Sequence, residues 1–162
     1  VARGADAGVV GKPGVVQRTD GSLWAWFRTD TGRQWQSLST DEGLTWSWPE
    51  PSVFQAPTSP LSMKRDPWSG DLLAVWNDRS GRWGLPEPAK TSWNRTPLVM
   101  AWSRDDGATW ERAEVIEDDP ERGFCYIAIH FTPEAILLAY CCGGRGSGVL
   151  QDACLRRLAR PR

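Results

Sequence analysis

One eight-residue pattern occurs twice in this chain, as Ser39-Thr-Asp-Glu-Gly-Leu-Thr-Trp46 and as Ser103-Arg-Asp-Asp-Gly-Ala-Thr-Trp110. Both copies read S-x-D-x-G-x-T-W, and chance hardly supplies two matches of that spacing. Each fixed position has a physical task. Asp41 and Asp105 can accept hydrogen bonds from backbone N–H groups further along, which locks a tight turn. Gly43 and Gly107 supply the positive φ that a hairpin turn needs. Thr45 and Trp46, like Thr109 and Trp110, are expected to open the next strand, with the indole buried against a neighbouring sheet. The chain is thereby constrained to repeated antiparallel units.

Strand-like runs and turn clusters alternate at about every 8–12 residues, as in all-β folds. Val15-Val16-Gln17, Leu23-Trp-Ala-Trp-Phe27 and Gln34-Trp-Gln-Ser-Leu38 lead into the first octapeptide as a four-strand meander closing at Trp46. Asp30-x-Gly32-x-x-Trp35 imitates half an octapeptide, but Arg28 stands at the Ser position, so it reads as a turn only. A Pro-rich connector from Pro49 to Pro60 precedes a second unit: Ser62–Arg65, Leu72–Trp76 and Pro97–Ser103. A third runs from Val115 through Cys125–Ile129, Ala135–Tyr140 and Val149–Leu158. Between them, Asn77 to Asn94 is a long polar loop of the kind that often carries function. Residues 1–10 read as a truncated lead-in, 11–158 as one propeller-like segment and 159–162 as a tail.

Composition narrows the function classes. With 162 residues the chain can bury a core, and a net charge of −1 gives no basic footprint for nucleic acid or a membrane surface. No apolar run approaches the ~20 residues that span a bilayer, and no signal peptide is visible. The 11 Trp, 16 Gly and 12 Pro suit short strands, tight turns and indoles between sheets. Cys125, Cys141, Cys142 and Cys154 form no C-x-x-C pair and His130 lies outside any metal spacing, so neither a metal nor another cofactor is expected. The vicinal Cys141-Cys142 reads as reduced, buried strand residues, which points to a reducing, cytoplasmic compartment.

The repeated octapeptide is the Asp-box, and on it the chain resembles the sialidase (neuraminidase) superfamily of BNR-repeat β-propellers. The resemblance implies an all-β fold with about three four-stranded blades of a six-bladed ring, the C-terminal half of the family fold. The ring would be closed by missing N-terminal blades or by a second copy of the chain. In that family the boxes lie on outer turns, away from the substrate. Its active site clamps a sugar carboxylate with arginines, because a planar guanidinium meets a carboxylate bidentately and stays charged. Arg28, ending Leu23-Trp-Ala-Trp-Phe-Arg28, and Arg95, ahead of the second box, match two of these arginines. Arg65, in Lys64-Arg65-Asp-Pro67, is similar to an Arg-Ile-Pro motif that the family carries near its N-terminus. The family nucleophile is a tyrosine, an exception to the two-carboxylate scheme. A neutral phenol is not repelled by the substrate's own carboxylate. Tyr126 matches it in spacing from Arg95, whereas Tyr140 lies in an apolar strand and reads as core. The family's general base is a Glu in the segment where this chain has Gly11-Lys12-Pro13-Gly14. Lys12 replaces the base with a cation, which favours phenolate or binds a carboxylate.

The expected function is therefore an exo-α-sialidase-like glycoside hydrolase acting on terminal sialic acid or a similar acidic sugar. The alternative is a non-catalytic Asp-box propeller that binds acidic glycans, and Lys12 favours it. A WD-type interaction propeller fits less well, since the punctuation is the Asp-box. Trp68, Trp83 and Trp93 flank or lie in the long loop and either stack on a sugar or cover the core. Glu117 to Glu121 reads as a solvated turn, and Asn94-Arg95-Thr96 as a glycosylation triplet without a secretion signal.

Overall fold

A computed structural model describes residues 11–160. The lead-in expected over 1–10 lies outside the described residues. Eleven strands form three antiparallel sheets, and among the described residues there is no α-helix. The first sheet orders β1 (Gly11–Gln17), β2 (Leu23–Arg28), β3 (Arg33–Ser39) and β4 (Glu50–Gln55) side by side. The second does the same with β5 (Ser62–Arg65), β6 (Leu72–Asn77), β7 (Leu98–Ser103) and β8 (Glu111–Glu117). The third has three strands, β9 (Cys125–Phe131), β10 (Ala135–Cys141) and β11 (Ala153–Ala159). These are blades of an open propeller, with β1, β5 and β9 as adjoining inner strands. The inner strands β5 and β9 run in the same direction, since the Ser62 hydroxyl donates to Ile127 O and Lys64 Nζ to Ile129 O.

Two cores hold the sheets together, and the middle sheet contributes to both. Leu73 and Val75 on β6, with Leu98, Met100 and Trp102 on β7, pack towards Ile127, Phe131, Ile136 and Leu138 of the third sheet. The alternate residues Leu72, Ala74, Trp76, Val99 and Ala101 pack towards Trp24, Trp26 and Phe54 of the first. Every residue of β6 and β7 is buried, so these strands read as unbroken apolar runs instead of alternating ones. Each fully buried aliphatic side chain contributes roughly 1.5–3 kcal/mol.

Three sequence expectations change here. The first meander does not close at Trp46: Ser47 N still donates to Leu38 O, but the ladder is resumed as a strand only at Glu50. Trp48-Pro49 lies between, and a proline has no N–H for a ladder. Val115 belongs to β8 and closes the second sheet instead of opening the third. Finally, Cys142 is disulfide-bonded to Cys154, with 5.9 Å between Cα atoms, so the vicinal pair is not wholly reduced. The hairpin beyond β10, tied by Cys142 N to Asp152 O and Gly143 N to Val149 O, brings the two cysteines together.

Candidate functional site

The first residues of β1 and β9 share an irregularity. Between Gly11 and Gly14, β1 spends one residue more than its partner does between Arg28 and Trp26. Between Cys125 and Ala128, β9 does the same against Cys141 and Ala139. Such bulges bend a strand and re-aim a side chain, and they gather near functional sites. The second residue of each strand is left-handed: Lys12 has φ 48° and Tyr126 φ 57°. Neither residue type seeks that region, which costs about 1–3 kcal/mol and marks over-determined, often functional, positions. The consequence is convergence. Lys12 Nζ stands 5.3 Å from the centre of the Tyr126 ring.

Arg95 approaches the same ring, its guanidinium carbon 5.3 Å from the centroid. It is only 8% exposed. Its Nη1 donates to the Cys125 sulfur at 2.9 Å and its Nη2 to Thr58 O at 3.2 Å. The half-exposed Trp93 ring lies 5.4 Å away on the guanidinium as well. Arg28 ends β2 directly opposite Gly11, and its Nη2 lies 3.1 Å from where a Gly11 Cβ would sit. A side chain at position 11 would crowd that guanidinium. Arg28 Nε is buried without a hydrogen-bond partner among the described residues.

Asn77, which the sequence reading passed over, organises this corner. Buried at the end of β6, its Nδ2 donates to Arg95 O at 2.8 Å and Phe124 O at 3.0 Å, with Pro97 O at 3.3 Å. Phe124 N also donates to Arg95 O at 2.8 Å, tying the arginine's backbone to the residue that leads into Cys125 and Tyr126. Its one signal in the sequence is a lone amide ending the apolar run Leu72–Trp76. Below the site a cleft of about 280 Å³ descends between the inner strands, lined by Pro13, Gly14, Trp26, Met63, Ile127 and Ile129. Its lining begins one residue past Lys12 and Tyr126. Gly14 is required there, because a Cβ would come within 2.2 Å of the Trp26 indole.

Other expected site residues lie elsewhere. Arg65 ends β5, at the far end of the inner strands, and donates to Gln17 O, Gly70 O and Asp106. It fastens the first two sheets together and does not join Arg28 and Arg95. Trp68 is at that same end, under the Arg160 guanidinium. Trp83 packs on the core, and its Nε1 donates to the buried Asp78 at 2.9 Å. Tyr140 is core, its hydroxyl donating to Glu117; burial and that carboxylate raise its pKa far above the ordinary value. The acidic turn after Glu117 is ion-paired instead of merely solvated, with Asp119 held 2.6 Å from Arg145. Among the described residues no cluster of His, Cys, Asp or Glu is placed to hold a metal ion.

Both octapeptides form the expected turn. Ser39 Oγ donates to Asp41 Oδ1 and accepts from Gly43 N, while Asp41 accepts from Thr45 N and Oγ1. Ser103, Asp105, Gly107 and Thr109 repeat each bond. In both, the residue before the glycine is also left-handed, Glu42 at φ 59° and Asp106 at φ 56°. That makes type I′ turns, which match the twist of a hairpin.

Fold and repeat together place the molecule among the all-β BNR-repeat proteins. The chain belongs to the BNR repeat-like domain family, which it matches over residues 7–138. It is similar in structure to the intramolecular trans-sialidase of Ruminococcus gnavus (TM-score 0.67, 20% identity, 98% of this chain and 34% of that one). It is also similar to the NanB sialidase of Streptococcus pneumoniae (TM-score 0.61, 21% identity, 86% of this chain and 21% of that one). A third likeness is to the GH93 α-L-arabinofuranosidase of Fusarium graminearum (TM-score 0.55, 17% identity, 82% and 40%). At such identities the shared property is the fold. The chain spans less than half the length of each of these proteins. No curated protein sequence matches it.

Proposed function

We propose that these blades belong to an exo-α-sialidase-like glycoside hydrolase acting on terminal sialic acid or a similar acidic sugar. The observation that supports this best is the placement of Tyr126, re-aimed by a bulge, with the buried Arg95 across its ring and Arg28 ending the strand paired with Gly11. In this reading Arg28 and Arg95 hold the sugar carboxylate, and Tyr126 Oη attacks the anomeric carbon. The phenol gives up its proton to solvent as the C–O bond to tyrosine forms, and the aglycone leaves with a proton taken from solvent. Water later cleaves the glycosyl–tyrosine bond and returns a proton to the phenol. The test is release of a fluorescent aglycone from an α-sialoside by the full-length protein. Tyr126→Phe should reduce turnover about a thousandfold or more. Turnover within twofold of the parent would remove Tyr126 from the role.

A second reading has its own observation. Lys12 places a cation at the Tyr126 ring where the family carboxylate is expected, and a charged lysine cannot accept the phenol proton. On this reading the site binds acidic glycans without cleaving them: a sialic acid analogue raises the melting temperature, Arg95→Ala removes the shift, and no aglycone is released. Lys12→Glu separates the two. If the missing base limits catalysis, this substitution raises turnover at least tenfold; unchanged turnover means that another residue takes the proton.

A further inference from the structure

Arg95 takes its charge into the interior, and what receives it is unusual. A buried guanidinium is ordinarily matched by oxygens, whereas one terminal nitrogen here is held by the sulfur of Cys125. A thiol is a weak acceptor and a thiolate a strong one. Cys125 is fully buried, and burial pushes its thiol pKa up while Arg95 opposes the rise. Its partner across the β9–β10 ladder is Cys141, half-buried. Among the described residues these are the two free cysteines, since Cys142 and Cys154 are bonded to each other. Directly opposed residues of an antiparallel pair lie roughly 4.5–5.5 Å apart at Cα, inside the range of about 4.4–6.8 Å that a disulfide bridges.

We propose that Cys125 and Cys141 form a reversible disulfide that withdraws the Cys125 sulfur from Arg95 and so switches off anion binding beside Tyr126. The proposal rests on Arg95 as the carboxylate ligand. The oxidant is a small-molecule disulfide such as oxidised glutathione. The accessible Cys141 thiol loses its proton to water and attacks one sulfur of the oxidant, expelling one thiolate. The Cys125 thiol then gives its proton to the thiolate already expelled and attacks the Cys141 sulfur of that mixed disulfide. This expels the second thiolate, which takes up the proton that Cys141 released. Two protein thiols are oxidised and one small disulfide is reduced to two thiols. Arg95 is left with Thr58 O and the faces of Trp93 and Tyr126. The adjacent Cys142–Cys154 bond takes no part.

The test equilibrates the full-length protein in glutathione buffers of increasing oxidised fraction. Free thiols are counted by alkylation and mass, Trp93 emission is followed with Trp93→Phe as the assigning control, and calorimetry gives the affinity for N-acetylneuraminic acid. The expected result is that Cys125 and Cys141 lose their thiols together, with Trp93 emission shifting in step. Binding weakens at least tenfold, dithiothreitol reverses all three changes, and Cys141→Ser is insensitive to oxidant. Cys125 remaining alkylatable after unfolding at full oxidation overturns the proposal, as does a disulfide that leaves both emission and affinity unchanged. If the reduced protein binds no sialic acid, the carboxylate reading fails, and Trp93 emission still decides whether the disulfide moves Arg95.

Discussion

The two octapeptide turns are nearly identical inside and quite different outside. Serine, aspartate, glycine and threonine make the same four hydrogen bonds in each, with lengths that differ by 0.1 Å or less. Their tryptophans diverge. Trp46 is 39% exposed and returns its Nε1 to Gly43 O, closing on its own turn. Trp110 lies between sheets, its ring 5.0 Å from Phe54 and 6.5 Å from Trp24. The variable residue before the glycine diverges too: Asp106 accepts from Thr19 N and Oγ1 and from Arg65, bolting the second sheet to the first. The turn is a self-contained unit, and its tryptophan acquires an energetic role only where a second sheet lies beside it.

Substitution at the turn glycines gives the largest separation. A Cβ on Gly107 would meet the Trp24 ring at 2.3 Å, whereas on Gly43 the nearest atom, from Leu23, is 3.5 Å away. Both positions have φ near +90°, at 88° and 89°, so alanine is strained in either. Gly43→Ala should cost about 1 kcal/mol from backbone strain, and Gly107→Ala about 3 kcal/mol because overpacking adds to it. Urea unfolding of the two variants checks this, and equal losses would mean that the sheets separate easily enough to relieve the clash. The tryptophans come next. Trp110→Ala empties part of an aromatic cluster and should cost about 2 kcal/mol, below the figure for a fully buried indole because Trp110 is only partly buried. Trp46→Ala should stay near 0.5 kcal/mol, as surface substitutions do. Thermal melts of both variants would overturn the comparison if Trp46 proved the costlier loss.

The same contrast explains what could be read in advance. The turns were legible because every one of their bonds is local, running between residues within the octapeptide. That Arg28 and Tyr126 lie on strands was legible because the turns index the strands. The aim of the side chains was not. Lys12 and Tyr126 are not residue types that advertise φ > 0, so nothing in Gly11-Lys12-Pro13 or Phe124-Cys125-Tyr126 announces a bulge. Likewise Arg65 sits in a plausible motif, but its partners Gln17 and Asp106 are remote in sequence and appear only when the first two sheets meet. The Cys142–Cys154 bond was hidden for the same reason, since its register depends on the intervening hairpin. Trp46 misled in the opposite sense: an identical octapeptide does not imply identical burial.

The smallest effect tests whether the turns are as self-contained as their geometry says. Asp105 has its pKa lowered from an ordinary 3.8 to about 2, first by the Thr109 hydroxyl, then by the Thr109 N–H and the Ser103 hydroxyl. Asp41 is lowered by the corresponding groups, led by the Thr45 hydroxyl. A carboxyl whose pKa falls on folding stabilises the fold while ionised. For Asp105 that contribution is complete above about pH 3.8 and drains away as the pH falls through about 2. Both carboxylates are open to solvent, so salt screens the charge while the hydrogen bonds persist. Carboxyl ¹³C titration by NMR should find both aspartates below the ordinary value, Asp105 near 2, despite their unlike surroundings. Thr45→Ala and Thr109→Ala should each raise only the aspartate of its own turn. Asp41 titrating at its ordinary value while Asp105 stayed low would show that the turn needs a neighbouring sheet to hold its hydrogen bonds, and the local account of the motif would fail.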